Sequence, residues 1–306
     1  MNEAWFARRT WQDPRWSLQE LVRAKGGRTV SVVLPALNEE HTVGAVVGSV
    51  RPLLGTLVDE IVVADSGSSD RTAEAAAAAG ARVVHREEVL PEFDPLPGKG
   101  EVLWRSLAAT SGDLLVFLDS DLVEPDPGFV PMLLGPLLLA AEVHLVKGFY
   151  RRPLRLESDE FGTGGGRVTE LLARPVLAAL RPALSGLVQP LGGEYAASRQ
   201  LLESVPFAAG YGVEIGLLLD TEAQYGLDAL AQVNLGVRKH RNRSLLQLGV
   251  MARQILGTAL DRCGVEAGEA AGLTQFVQVA GEWLPDTRQV LVADRPPMRE
   301  VLAARG

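Results

Sequence analysis

Residues 30–65, VSVVLPALNEEHTVGAVVGSVRPLLGTLVDEIVVAD, read as strand, helix, strand. VSVVLP and EIVVAD are short β-branched runs closed by Pro and Asp, and the stretch Glu39–Val50 between them is long enough for a helix. The pattern repeats outward. SSDRTAEAAAAA predicts a helix over Ser69–Ala79 with Ser68 or Ser69 as its cap, and ARVVH, DLLVFLD and HLVKGFY supply three more strands before Tyr150. Strands alternating with helices predict an α/β fold, Rossmann-like, with a mostly parallel sheet flanked by helices. In open parallel sheets ligands bind at the carboxyl ends of the strands, which directs attention to Asp65 and Asp119.

Composition bounds what such a fold can do. The 306 residues are 47% hydrophobic and 22% charged, enough to bury a full core. Thirty Lys and Arg against 38 Asp and Glu leave a net charge of −8, which argues against general nucleic-acid or anionic-membrane binding. The single Cys263 excludes an internal disulfide, and no CxxC offers a structural zinc site. The N-terminus has no apolar h-region, and the tract Met132–Val146 is interrupted by Pro136, Glu142 and His144, so neither a signal peptide nor a membrane span is expected, and the cytoplasm is the default compartment.

Four segments carry chemistry. FLDSDLVEPDP places Asp119 and Asp121 one residue apart after an apolar run; in extended conformation both point to one face and can share a divalent cation and a diphosphate, the alternative being a solvated turn. PALNEE leads from the first strand into a helix and offers backbone N–H groups and the acids Glu39 and Glu40, although acids also suit a helix N-terminus for purely structural reasons. Asp65 and Ser66 can hydrogen-bond a nucleoside. Lys99 stands between two glycines in PGKG, at the end of a long loop from Glu87 and at the start of a helix; it is either the cation of an acidic site or a surface lysine. Past Tyr150, Arg151, Arg152 and Arg155 cluster, and GTGGGRVT places glycine N–H groups, Arg167 and Thr169 at a helix start, a ready anion site or a flexible linker. Glu214 lies on an otherwise apolar helix face with little structural reason to be there. His240, in VRKHRNRS after a strand, is the one histidine in a polar, basic stretch.

Taken in order, VSVVLPALNEE, IVVADSGSSDRT, LPGKGEVLW, LVFLDSD, GGGRVTELLARP and VRKHRNRS resemble the retaining glycosyltransferases that make glucosyl-3-phosphoglycerate, a family with the GT-A fold. The first four segments suit most GT-A enzymes of the family-2 type, and the last two narrow the match to phosphoglycerate acceptors. The likeness runs from about Thr29 to about Ser244. It implies an extension over 1–28, a nucleotide-sugar-binding half over 29–150, an acceptor half over 151–243, and a C-terminal helical region over 244–306 that makes a dimer contact through the helix at 244–262. It places the nucleotide-sugar against Pro35, Ala36, Leu37, Glu39, Ser66, Lys99, Asp119, Ser120 and Asp121. Asp121 and His240 would hold Mg²⁺ or Mn²⁺, with the imidazole favouring manganese. The acceptor would meet Arg151, Gly166, Arg167, Val168, Thr169 and Asn242, the backbone near Leu191 would lie by the reacting centre, and Glu214 would hold the sugar.

The expected reaction is transfer of glucose from UDP- or GDP-glucose to the 2-hydroxyl of 3-phosphoglycerate with retention, in compatible-solute or polysaccharide-precursor synthesis. The rivals are a GDP-mannose enzyme making mannosyl-3-phosphoglycerate on the same scaffold, a polyprenyl-phosphate glycosyltransferase, and a non-catalytic nucleotide-sugar-binding module. A dinucleotide-dependent dehydrogenase is set aside because no GxGxxG follows the first strand. The last forty residues read as helix plus loop.

Overall fold

The computed structural model describes residues 2–151, 166–237, 244–266 and 272–305. The first half runs α1 (Glu3–Arg9), β1 (Thr10–Trp11), α2 (Leu18–Lys25), β2 (Val30–Ala36), α3 (Val43–Val50), β3 (Glu60–Asp65), α4 (Thr72–Ala79), β4 (Arg82–His85), α5 (Lys99–Ala109), β5 (Leu114–Phe117), α6 (Phe129–Leu139) and β6 (Leu145–Arg151). The second half runs α7 (Arg174–Leu180), β7 (Tyr195–Ser198), α8 (Arg199–Ser204), β8 (Phe207–Ala208), α9 (Val213–Tyr225), β9 (Leu230–Val237), α10 (Leu245–Arg262), β10 (Gly272–Val279), β11 (Glu282–Gln289), β12 (Asp294–Arg295) and α11 (Met298–Ala303).

Eight strands form one sheet in the order β1-β9-β6-β7-β5-β2-β3-β4. Only β7 runs against its neighbours; the other pairings in this sheet are parallel. Both faces are covered, which is why the central strands are largely apolar, with Ser31 on β2 and Lys147 on β6 as buried exceptions. Along β2, Val30, Val32 and Leu34 enter the core under α3 and α6, while Val33 faces the other core with α5 and α9. Each such side chain contributes roughly 1.5–3 kcal/mol on burial, so a one-residue slip of a central strand is strongly disfavoured.

The expected central strands and helices are where the sequence placed them, with four differences. Helix α4 starts at Thr72, not at a serine: Asp70 accepts from the Thr72 amide at 3.0 Å, and Ser68 is engaged elsewhere. The segment before residue 29 is joined to the sheet, because β1 (Thr10–Trp11) pairs with β9 and the indole of Trp5, 1% exposed, donates to the Leu230 carbonyl at 3.1 Å. Strand β5 ends at Phe117, so Ser120 and Asp121 lie in a turn and not in extended chain. The C-terminal segment contains a hairpin, β10–β11, where helix plus loop was expected. Ala280 and Gly281 form its two-residue turn at φ 51° and 90°, a conformation for which Ala-Gly is a weak signal beside Asn-Gly. Helix α10 is as expected, opened by a capping box between Ser244 and Gln247.

Candidate active site

The antiparallel strand β7 builds the site. Its register with β5 sets Phe117 opposite Tyr195, so two residues further on Asp119 meets Gly193. A Cβ at Gly193 would stand 2.3 Å from Asp119 Oδ2, and only glycine lets the chain pass this close to the carboxylate. Ser120 turns inward and donates to the Pro35 carbonyl at 2.7 Å, joining the acidic turn to the end of β2, while Asp119 and Asp121 on either side are half-buried.

Lys99 reaches this turn from the first residue of α5. Its Nζ is 2.6 Å from Asp119 Oδ1 and 2.8 Å from Glu214 Oε1, the latter in the first turn of α9. Gly98, at φ 119°, and Gly100 let the helix start lie directly on the backbone of Ala208–Gly210, where a Cβ at Gly100 would fall 1.8 Å from the Ala208 carbonyl oxygen. The amides of Gly100 and Glu101 donate to Gly210 and Ala209, so these helix-end N–H groups are already used and the lysine side chain carries the cationic role of the PGKG segment.

A second cation lies beneath the first. Lys147, 2% exposed on β6, donates to the Gly192 carbonyl at 2.5 Å and stands 4.5 Å from the centroid of the Tyr195 ring. Burial lowers the Lys147 ammonium to about 8, with Lys99 adding to the fall and Glu214, Glu194 and Asp119 opposing it. Burial also works against the Lys99 charge, but Asp119 and Glu214 more than offset it and hold Lys99 well above its ordinary value. Tyr195 is raised well above its usual range, first by burial and then by Glu214, so it stays neutral. Lys99 is thus a permanent cation here, suited to stabilising negative charge and unsuited to proton transfer.

The loops proposed for the nucleotide are knitted to each other. Asn38, at φ 56°, donates its amide to Ser68 Oγ at 2.9 Å and accepts from the Ser69 amide at 2.8 Å; Glu39 N donates to Thr72 Oγ1 at 2.8 Å, and Ser66 N donates to the Ala36 carbonyl at 2.9 Å. Glu39 accepts from Thr42 Oγ1 at 3.0 Å. Pro35 and Ala36 end β2, and Leu37 is 54% exposed beside them. Asp65 braces the same turn. It is 2% exposed and accepts from Gly67 N at 3.2 Å, Ser68 N at 3.1 Å and Ser68 Oγ at 2.5 Å, so it shapes the loop that carries Ser66.

The acceptor candidates frame a segment outside the described residues. Arg151 is exposed at the end of β6, Gly166 precedes a helical stretch that begins at the exposed Arg167, and Val168 and Thr169 are buried where that stretch widens into a π-turn, Thr169–Ala173. Arg174 ties this stretch to the chain leading to Leu191 by donating to Leu187 and Val188 carbonyls at 3.0 and 2.5 Å. Leu191 is partly buried against the α5/α9 core. Arg152, Arg155, the glycines before Gly166, His240 and Asn242 lie outside the described residues. Among the described residues no three metal-ligating side chains converge. Asp121, a half-buried carboxylate beside Asp119, fits a hard divalent cation as one ligand of a set.

Sequence reasoning missed the brace behind Lys99. Glu101, wholly buried, is held by Arg105 Nε at 2.6 Å and by Arg295 Nε at 2.6 Å. Arg105 also grips the carbonyls of Leu90 and Phe93 in the preceding loop, and Arg295 stacks over Trp104 and Phe93. The signal that could have found Lys147 was present in HLVKGFY: a charge inside an apolar strand, the argument that singled out Glu214.

A family model described as glycosyl transferase family 2 matches residues 31–152. A glucosyl-3-phosphoglycerate synthase of Mycolicibacterium smegmatis is 61% identical over 298 residues, 97% of this chain and 98% of the relative. A crystal structure of the Mycobacterium tuberculosis glucosyl-3-phosphoglycerate synthase with Mn²⁺, UDP-glucose and phosphoglyceric acid is 59% identical, with a TM-score of 0.87 over 95% of this chain and 98% of that one. Another from the same organism, with Mg²⁺ and UDP, is 58% identical, with a TM-score of 0.88 over 96% and 99%. The names carry glucose, which decides between the two sugars that the sequence left open.

Proposed function

The chain belongs to the glucosyl-3-phosphoglycerate synthases, GT-A hexosyltransferases that move glucose from a nucleotide donor to 3-phosphoglycerate, and we propose how its own residues divide that work. Mannosyl transfer from GDP-mannose, the runner-up of the sequence reading, is set aside on the same relatives. The donor is UDP-glucose, bound by the strand-end loops Pro35–Glu39 and Ser66 and by the acidic turn Asp119–Asp121; the likeness to proteins holding that nucleotide supports this.

One observation carries the assignment of the transfer site. Lys99 bridges Asp119 and Glu214 where two strand ends and two helix starts meet, which puts a permanent cation next to the expected diphosphate and a buried carboxylate next to the expected sugar. In the transfer the bond from the anomeric carbon to the diphosphate oxygen breaks, and a bond from that carbon to the acceptor 2-oxygen forms. The acceptor proton passes to the departing diphosphate. Both carboxylates here are held by Lys99, so neither is set up as a covalent nucleophile, and this supports same-face attack with retention. Lys99 stabilises the charge that grows on the leaving group, and Glu214 accepts hydrogen bonds from glucose hydroxyls and orients the ring. Mg²⁺ or Mn²⁺, held by Asp121 together with His240, supplies Lewis-acid stabilisation of the same diphosphate when bound.

The acceptor, carrying a phosphate and a carboxylate, is met by Arg151, Gly166–Thr169 and Asn242. The chain divides accordingly into a donor half over 29–150 and an acceptor half over 151–243. It works as a cytoplasmic homodimer, joined through α10 and the adjoining hairpin, whose Phe276 and Trp283 are 61% and 67% exposed. No helix among the described residues is long and apolar enough to cross a membrane. The deciding experiment is transfer from UDP-glucose to 3-phosphoglycerate with Mn²⁺, the anomeric configuration of the product being read by NMR. An α-linked product is expected, and a β-linked one would reject same-face attack.

A further inference from the structure

Lys147 is a charge in a place built for apolar side chains. Leu145 and Val146 beside it on β6 are fully buried, and Lys147 itself is 2% exposed, with its ammonium against the Tyr195 ring and the Gly192 carbonyl. The segment it grips, Leu191–Gly193, has no side chains at Gly192 and Gly193 to pin it. The Gly192 amide donates to Gln189 at 3.1 Å and the Gly148 amide donates to the Glu194 carbonyl at 2.9 Å, which ties down the two sides of the segment, and the Lys147 ammonium holds the Gly192 carbonyl between them. The placement of the segment matters, because Gly193 lies directly against the Asp119 carboxylate and Asp119 in turn holds Lys99 at 2.6 Å.

We propose that Lys147 is a positioning residue for glucosyl transfer: its ammonium, acting through the Gly192 carbonyl, sets the Leu191–Gly193 segment against Asp119 and thereby the spacing of Asp119, Lys99 and Glu214. The inference rests on the reading of that cluster as the transfer site. The charged and titratable groups around the ammonium are Lys99 on α5, Asp119 after β5, Glu194 and Tyr195 at β7, and Glu214 on α9. Burial penalises the Lys147 cation, so a packing role alone would be served better by an apolar side chain of similar length. This gives the positioning role a signature that a structural role lacks: removing the charge should cost turnover without costing the fold.

The test compares K147M, K147R and K99M with the parent enzyme in the transfer assay with UDP-glucose, 3-phosphoglycerate and Mn²⁺. UDP affinity is measured by calorimetry and the melting temperature by scanning calorimetry. K147M is expected to lose about tenfold or more in kcat, since a misplacement of an ångström can cost up to about 10²-fold. Its UDP affinity should stay within about twofold and its melting temperature at or above that of the parent. K147R, which keeps the charge, should recover part of kcat. Turnover of K147M at the parent level would overturn the proposal. So would a K147M that melts lower or fails to fold, or a K147R no better than K147M in kcat. Activity surviving in K99M would instead sink the site reading on which the proposal stands, and it is separable because K99M leaves the grip on Gly192 untouched.

Discussion

The two parts of the proposed donor site are held by opposite means. The loops Leu37–Thr42 and Ser66–Thr72 are knitted by many short polar contacts between neighbours in space, most of them at or near the surface: Asn38 with Ser68 and Ser69, Glu39 with Thr72, Glu40 with Asp70 and Arg71. The cluster of Lys99, Asp119, Glu214 and Lys147 is held by few contacts between charges that come from four separate elements and are largely buried. Where contacts are redundant and wet, losing one costs little because water replaces it. Where each contact is single and dry, no neighbour or water takes the place of a lost one, so the spacing of the reacting groups fails and turnover falls with it.

Changes at the two regions should therefore differ by orders of magnitude. Removal of the divalent cation with EDTA should abolish transfer, and added Mg²⁺ or Mn²⁺ should restore it; full activity in chelator would leave the acidic turn to Lys99 alone. G193A should fold normally, because the clash falls on a side chain that can swing away, yet lose about 10²-fold in kcat as Asp119 is displaced from Lys99. A loss below about threefold would show that the spacing of this turn is not critical. A pH profile should sharpen the contrast next. The Lys147 cation is present below about 8 and lost above it, so kcat should fall as pH rises through that value and K147R should move the limb upward. The same group affects stability with the opposite sign. Its pKa is lower in the fold than in the unfolded chain, so its contribution to stability rises between about 8 and the ordinary lysine value near 10.5 while turnover falls. Asn38→Ala should do least, raising the donor KM by about two- to threefold and leaving kcat unchanged, because neighbouring contacts hold the loop.

The contrast also explains what could be seen in the sequence. The central strands were legible because both faces of the sheet are buried, so their runs are largely apolar, and the acids that end them stand out. Glu214 was legible as a charge on an apolar helix face, and Lys99 as the lone cation between two glycines at the end of an acidic loop. The partners of those charges were not, since the pairing of β7 with β5 that brings Gly193 onto Asp119 depends on a strand reversal some eighty residues downstream. The part that Asp65 plays in shaping its own loop was hidden because nothing local says that the chain will curl back onto it. The hairpin Gly272–Gln289 was hidden by a turn without a strong signal, and Arg295 by the distance along the chain to Glu101.

The central claim is that Lys99, fixed between Asp119 and Glu214, stabilises the leaving diphosphate and does not merely hold the fold. The most direct test is kcat for K99M with UDP-glucose, 3-phosphoglycerate and Mn²⁺, measured beside its dissociation constant for UDP. The account predicts a fall in kcat of about 10²–10³-fold in a folded protein, with UDP affinity changed by less than about tenfold. A kcat within about threefold of the parent, at any UDP affinity, would contradict it.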